Sequence, residues 1–135
     1  MPISTRWYDD EQRVITQKFE GVWTWEELNR ELGAMAVLAE SVSYNLVLYT
    51  DMSGTNIAPK GNILAQGRSG VTNVPDNITQ IIIVIQSRLI EVFAGLVFDM
   101  VPKWRNRVKF VKTVDEGQKL VAQAIAVNSA RSSAG

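Results

Sequence analysis

The chain has 135 residues, 46% apolar and 21% charged, which suits one folded domain with a real core. It contains 0 cysteines and 0 histidines. That excludes disulfides, thiolate metal sites, iron–sulfur clusters, cysteine nucleophiles, Ser-His-Asp catalysis and histidine-based zinc sites together.

Its 14 basic residues balance 14 acidic ones, so nucleic acid and anionic lipid meet no global attraction, and no nucleic-acid partner is expected. The absence of thiols fits a cytoplasmic location. Arg6, Asp9, Asp10 and Glu11 near the start do not make a signal peptide. The longest uncharged apolar stretches, Ile81–Ile85 and Val92–Phe98, fall far short of the roughly 20 residues that span a bilayer. No transmembrane segment is expected.

Residues 4–8, with Trp7 and Tyr8, read as a first strand. Asp9-Asp10-Glu11-Gln12 reads as a polar turn. Arg13 to Glu20 alternates apolar and polar, with Ile15 and Phe19 on one face, so a hairpin partner with one wet face follows. Thr24-Trp25-Glu26-Glu27 is a capping box that opens a helix to about Glu40. Trp25, Leu28, Leu32, Met35 and Ala39 form its apolar stripe.

Residues 44–50 read as a strand apolar on both faces, the pattern of a parallel strand inside a sheet. Asp51-Met52-Ser53-Gly54 reads as a turn. A weak helix is expected from Pro59 to about Gln66, followed by a loop over 70–77. Ile78 to Ile85 reads as another central strand.

Ser87 caps a helix that Pro102 stops near Val101. Its apolar residues, Leu89, Ile90, Val92, Phe93, Leu96, Val97, Phe98, Met100 and Val101, cover more than one stripe. Val108 to Val111 is a last short strand. Thr113-Val114-Asp115-Glu116 repeats the capping box before a helix that buries Val114, Leu120, Val121, Ala124 and Ile125. Residues 1–127 therefore make one domain and 128–135 a flexible polar tail. The expected fold class is α/β: a mixed five-stranded sheet with an N-terminal hairpin and four helices.

That order of elements, with the Asp-x-Ser-Gly turn in Val47-Leu48-Tyr49-Thr50-Asp51-Met52-Ser53-Gly54, resembles the STAS domain of bacterial anti-sigma-factor antagonists over roughly residues 5–127. The resemblance implies a non-catalytic protein–protein interaction module in bacterial regulation. In that family a serine at the start of the next helix is phosphorylated and switches partner binding. Here the matching stretch is Ile57-Ala58-Pro59-Lys60-Gly61-Asn62, which carries no hydroxyl, and Lys60 stands about where the serine would be. The resemblance thus implies a divergent member without the serine switch. Its partner-binding surface would be Asp51, Ser53, Asn56, Lys60 and Asn62.

Each candidate also has a plainer account. Asp51 is either a partner contact or an Asx-turn carboxylate. Ser53 lacks a histidine to activate it, which leaves a lysine base or ordinary turn hydrogen bonding. Gly54 to Gly61 with Lys60 fails the spacing of a nucleotide phosphate loop, though Lys60 and Arg68 at a helix start could hold an anion. Asp9, Asp10 and Glu11 read as a solvated turn rather than a metal site. Lys103, Arg105, Arg107 and Lys109 with Trp104 make a local basic patch or a protected sheet edge.

The apolar helix 88–101 has three readings: a pocket wall for an apolar, lipid-like ligand, a homodimer or partner surface, or simple core packing. Leu89, Phe93, Val97 and Phe98 are the residues that would carry either of the first two. No catalytic residue, cofactor or metal site declares itself, and no enzyme activity is expected.

Overall fold

The computed structural model describes residues 2–134. The chain runs β1 (Ile3–Trp7), β2 (Val14–Glu20), α1 (Trp25–Glu40), β3 (Leu46–Gly54), α2 (Ile63–Thr72), β4 (Ile78–Val84), α3 (Arg88–Asp99), a short 3-10 turn (Pro102–Trp104), β5 (Val108–Val111) and α4 (Val114–Ala134). This is the expected α/β architecture, with a five-stranded mixed sheet and four helices.

The strands lie side by side in chain order, β1-β2-β3-β4-β5. β1 is antiparallel to β2, and every later pair is parallel. Each crossover steps one strand further in the same direction. Connections of one hand then put their helices on one face of the sheet. Accordingly α1, α2 and α3 share a face, where they enclose a core built on Ile15, Leu48, Ile81 and Ile83 from the strands. α4 alone covers the other face, packing Val121 and Ala124 on Val14, Val47, Tyr49, Ile82 and Val84. The period of two along β3 sends Leu48 to the first core and Val47 and Tyr49 to the second.

The capping boxes form as expected. The Glu27 N–H donates to Thr24 Oγ1 at 3.1 Å, and the Glu116 N–H to Thr113 Oγ1 at 3.2 Å. Ser87 Oγ caps α3 by accepting from the Ile90 N–H.

Several boundaries differ from the sequence expectation, and α2 runs on to Thr72 instead of ending near Gln66. β3 does not end at Thr50. Asp51-Met52-Ser53-Gly54 continues the strand, because Asp51 still pairs with Lys18 and Val84 and Gly54 with Glu20. α2 does not start at Pro59: Gly61 has φ +120°, outside the helical region, and Asn62 caps the helix by accepting from the Ala65 N–H at 3.2 Å.

α3 ends at Asp99, and Pro102 opens the 3-10 turn instead of merely stopping the helix. α4 carries on through residues 128–134, where a polar tail is expected. Val121, Ala124 and the buried Asn128 fall at spacings of three and four, so the packed face persists past the apolar composition. Gly135, the end of that tail, lies outside the described residues. Val114, expected in the core, is exposed at the first turn of α4.

Candidate functional site

A cavity of about 170 Å³ lies between the sheet and the three helices that share its face. Alternate residues of the strands form its floor: Gln17 and Phe19 from β2, Leu48, Thr50 and Met52 from β3, Ile81 and Ile83 from β4. Trp25, Leu28 and Leu32 of α1 and the preceding Trp23 close one side. Ile90, Phe93, Ala94, Val97 and Phe98 of α3 close the other, and Ile63, Gly67, Gly70 and Val71 of α2 lie between. Among the described residues, no aspartate, glutamate, lysine, arginine or tyrosine lines it.

α2 is the thin wall. It contributes no fully buried residue, and its lining positions Ile63, Gly67, Gly70 and Val71 are only half-buried. Gly67 sits against α3, where a Cβ would stand 2.8 Å from Val97 Cγ2. This close approach needs glycine and explains why the helix accepts a residue of poor helical propensity there. The approach to α2 is pinned from α1: Trp25 Nε1 donates to the Lys60 carbonyl oxygen at 3.1 Å.

Helix α3 resolves the expected excess of apolar surface into two stripes. Ile90 and Val97 are buried, and Phe93, Val97 and Phe98 face the cavity. Phe98 also meets Trp104 and Phe110 edge-on, at 6.4 and 6.3 Å between ring centres. The opposite stripe is uncovered: Leu89 is 65% exposed, Val92 52%, Leu96 48% and Met100 40%. Leu89 therefore belongs with the outer stripe and not with Phe93, Val97 and Phe98.

The five polar residues expected to bind a partner do not form one cluster. Asp51 Oδ1 accepts from the Ser53 N–H at 2.9 Å and from Ser53 Oγ at 2.6 Å, so these two spend hydrogen bonds on each other. Ser53 and Asn56 line a shallow polar groove with Gln86 and Ser87 at the carboxyl ends of β3 and β4. Asn62 caps α2 and lines a different groove with Leu64, Arg68 and Met100. Lys60 is exposed on the loop between the two.

Elsewhere, Asp9 Oδ1 accepts from the Glu11 N–H within the hairpin turn. Trp104 is buried and donates from Nε1 to the Val71 carbonyl at 3.0 Å, while Lys103 binds the Val74 carbonyl and Asp76. The basic patch thus has no exposed Trp104 to stack on a base. On the α4 face, burial pushes the Tyr49 hydroxyl up to about 12, with the Asp51 carboxylate and Tyr8 adding to the shift.

Of the α3 residues that the sequence singled out, Phe93, Val97 and Phe98 line the cavity and Leu89 does not; Ile90, Ala94, Trp23, Gln17, Thr50 and the part played by Gly67 were not singled out. Trp23 carries a signal in principle: an indole placed just before a capping box, within four residues of Phe19 and two of Trp25. Among described residues, no helix is long and apolar enough to cross a membrane. No model of a known protein family, no curated protein and no solved structure matches the chain.

Proposed function

We propose that this chain binds a small apolar molecule in the cavity beside α3, as a carrier or sensor and not as an enzyme. The observation that carries the reading is the cavity itself, about 170 Å³ with walls free of ionisable side chains. A dry apolar cavity of about 150 Å³ is enough to take up benzene. The walls hold no acidic or basic side chain, so the one hydroxyl there, on Thr50, has no general base beside it to activate it, which supports a binding role. The lack of cysteine supports a cytoplasmic setting.

Toluene tests the reading. A ligand that binds only the folded state stabilises it by about 2.7 kcal/mol at a hundred times its dissociation constant. A melting temperature that climbs with toluene concentration supports binding, and a flat response at saturation removes it. A native mass spectrum of the purified protein then shows whether a small molecule travels with it.

A second reading, protein–protein interaction, is favoured by the uncovered stripe Leu89, Val92, Leu96 and Met100. The occupant it fits is a second copy of the chain. Arg88 and Asp99 are exposed at opposite ends of the stripe. Two α3 helices docked antiparallel about a two-fold axis set Arg88 opposite the partner's Asp99. Sedimentation velocity checks this: the wild type is expected to run as a dimer and Leu96→Glu as a monomer. A wild type that stays monomeric at high micromolar concentration refutes it.

The resemblance to anti-sigma-factor antagonists offers a third surface, Asp51 to Asn62. What supports it is the order of elements and the exposure of Asn56 and Lys60. Unchanged partners in a pull-down with Lys60→Glu count against it.

A further inference from the structure

Trp23 stands between β2 and α1 and is 6% exposed. Its ring meets Phe19 edge-on at 5.1 Å and Trp25 at 5.2 Å. It also lines the cavity. Its Nε1 is buried and has no hydrogen-bond partner, the single buried side-chain polar atom in that position among the described residues. The indoles of Trp25 and Trp104 both reach carbonyl oxygens, at 3.1 and 3.0 Å. Leaving a buried donor unpaired forfeits its hydration with nothing in return, and proteins rarely bear that cost without a use. The remaining walls are apolar apart from Gln17 and Thr50, and Gln17 Nε2 already donates to Thr5 Oγ1 and the Glu31 carbonyl.

Resting on the cavity-binding reading, we infer that the ligand is an uncharged molecule about the bulk of a substituted single ring or a short branched chain. It carries one hydrogen-bond acceptor, a carbonyl, ester or ether oxygen, which takes the Trp23 indole N–H. Charge is excluded by the walls: an ion would lose its hydration with no counter-charge to meet it. Bulk is set by the volume. The acceptor is set by the Trp23 N–H, a buried donor that the fold leaves unpaired. Trp23 is therefore the specificity-determining residue of the site, and the apolar walls supply the affinity.

Acetophenone and α-methylstyrene test this, since they share a shape and differ in C=O against C=CH2. Affinities for the full chain are measured by calorimetry in the wild type and in Trp23→Phe. The loss of one neutral hydrogen bond is expected to weaken acetophenone roughly five- to tenfold and to leave α-methylstyrene within about twofold. In a proton–nitrogen NMR spectrum of the wild type, acetophenone is expected to shift the Trp23 indole resonance downfield and α-methylstyrene is not. This readout needs no variant, so a Trp23→Phe chain that fails to fold leaves the test intact.

Equal effects of the two probes, in either measurement, overturn the inference while the cavity reading stands. That is the result expected if the N–H is already spent on the face of Phe19 or Trp25. Failure of both probes to bind the wild type overturns the cavity reading and this inference with it.

Discussion

Ala94 is the position from which the cavity is best filled from within. It lies on α3 between Phe93 and Val97, and all three line the space. Ala94→Leu adds three carbon atoms directed into the cavity of about 170 Å³. Each methylene moved from water into an apolar site contributes about 0.8 kcal/mol, which sets an upper limit of about 2.4 kcal/mol for the three.

Some of that is offset by fixing the leucine rotamer, roughly 0.5–1 kcal/mol. A net gain of about 1–2 kcal/mol remains. For a chain of this length that corresponds to a rise in melting temperature of roughly 3–8 °C. The same carbons occupy the ligand's volume, so toluene should no longer raise the melting temperature. Thermal melts followed by circular dichroism, with and without toluene, measure both effects. Leucine forced into a solid core instead costs about 1–3 kcal/mol. A variant that melts lower than the wild type, or that still responds to toluene, refutes the reasoning.

Gly67→Ala should destabilise the protein by about 1–2 kcal/mol even though alanine favours helices, because its Cβ would stand 2.8 Å from Val97 Cγ2. In a double-mutant cycle followed by urea unfolding, the Gly67→Ala penalty should largely vanish in a Val97→Ala background; an undiminished penalty there would mean that this contact does not set the cost. Tyr49 gives a pH prediction. Its folded pKa of about 12 stands above the unfolded value of 10.0, so the folded state holds the proton more tightly. The resulting stability, of order 2 kcal/mol, is fully present below pH 10 and lost as pH rises from 10 to 12. Tyr49→Phe should flatten that fall in urea unfolding across the window, and an unchanged slope would contradict the assignment.

Much of the fold was legible because each element advertises its period. The alternation of Arg13–Glu20, the stripe from Trp25 to Ala39 and the two capping boxes all name their structures without reference to the rest of the chain. Boundaries were lost where tertiary contacts overrule local propensity. Pro59 looked like a helix start, yet Gly61 takes φ +120° and delays α2 to Ile63.

The candidate site was legible only in part. Periodicity says that Phe93 and Val97 point inward; it cannot say whether the inside is full. Fullness depends on how α2, which offers Gly67 and Gly70 to the interior, sits against α1 and α3. The expected polar site after β3 failed to gather for a topological reason. A ligand crevice at the carboxyl ends of strands opens where neighbouring connections leave on opposite faces. Here the strand order never reverses and α1, α2 and α3 share one face, so Ser53 and Asn56 line only a shallow groove.

The uninterrupted strand order also bears on how the protein is made. Each strand joins the sheet beside the one synthesised just before it, so no strand waits for a distant partner to emerge. Parallel neighbours still pair across the length of a helical crossover, which slows folding, but domains are built from the N-terminus during translation. Every residue that lines the cavity lies between Gln17 and Phe98. The residues of the pocket therefore leave the ribosome before those of β5 and α4. α4, which lies across β3, β4 and β5, docks last and seals the opposite face. Lesions in the last helix are thus expected to lower yield and lifetime while leaving the chemistry of the pocket to molecules that do fold.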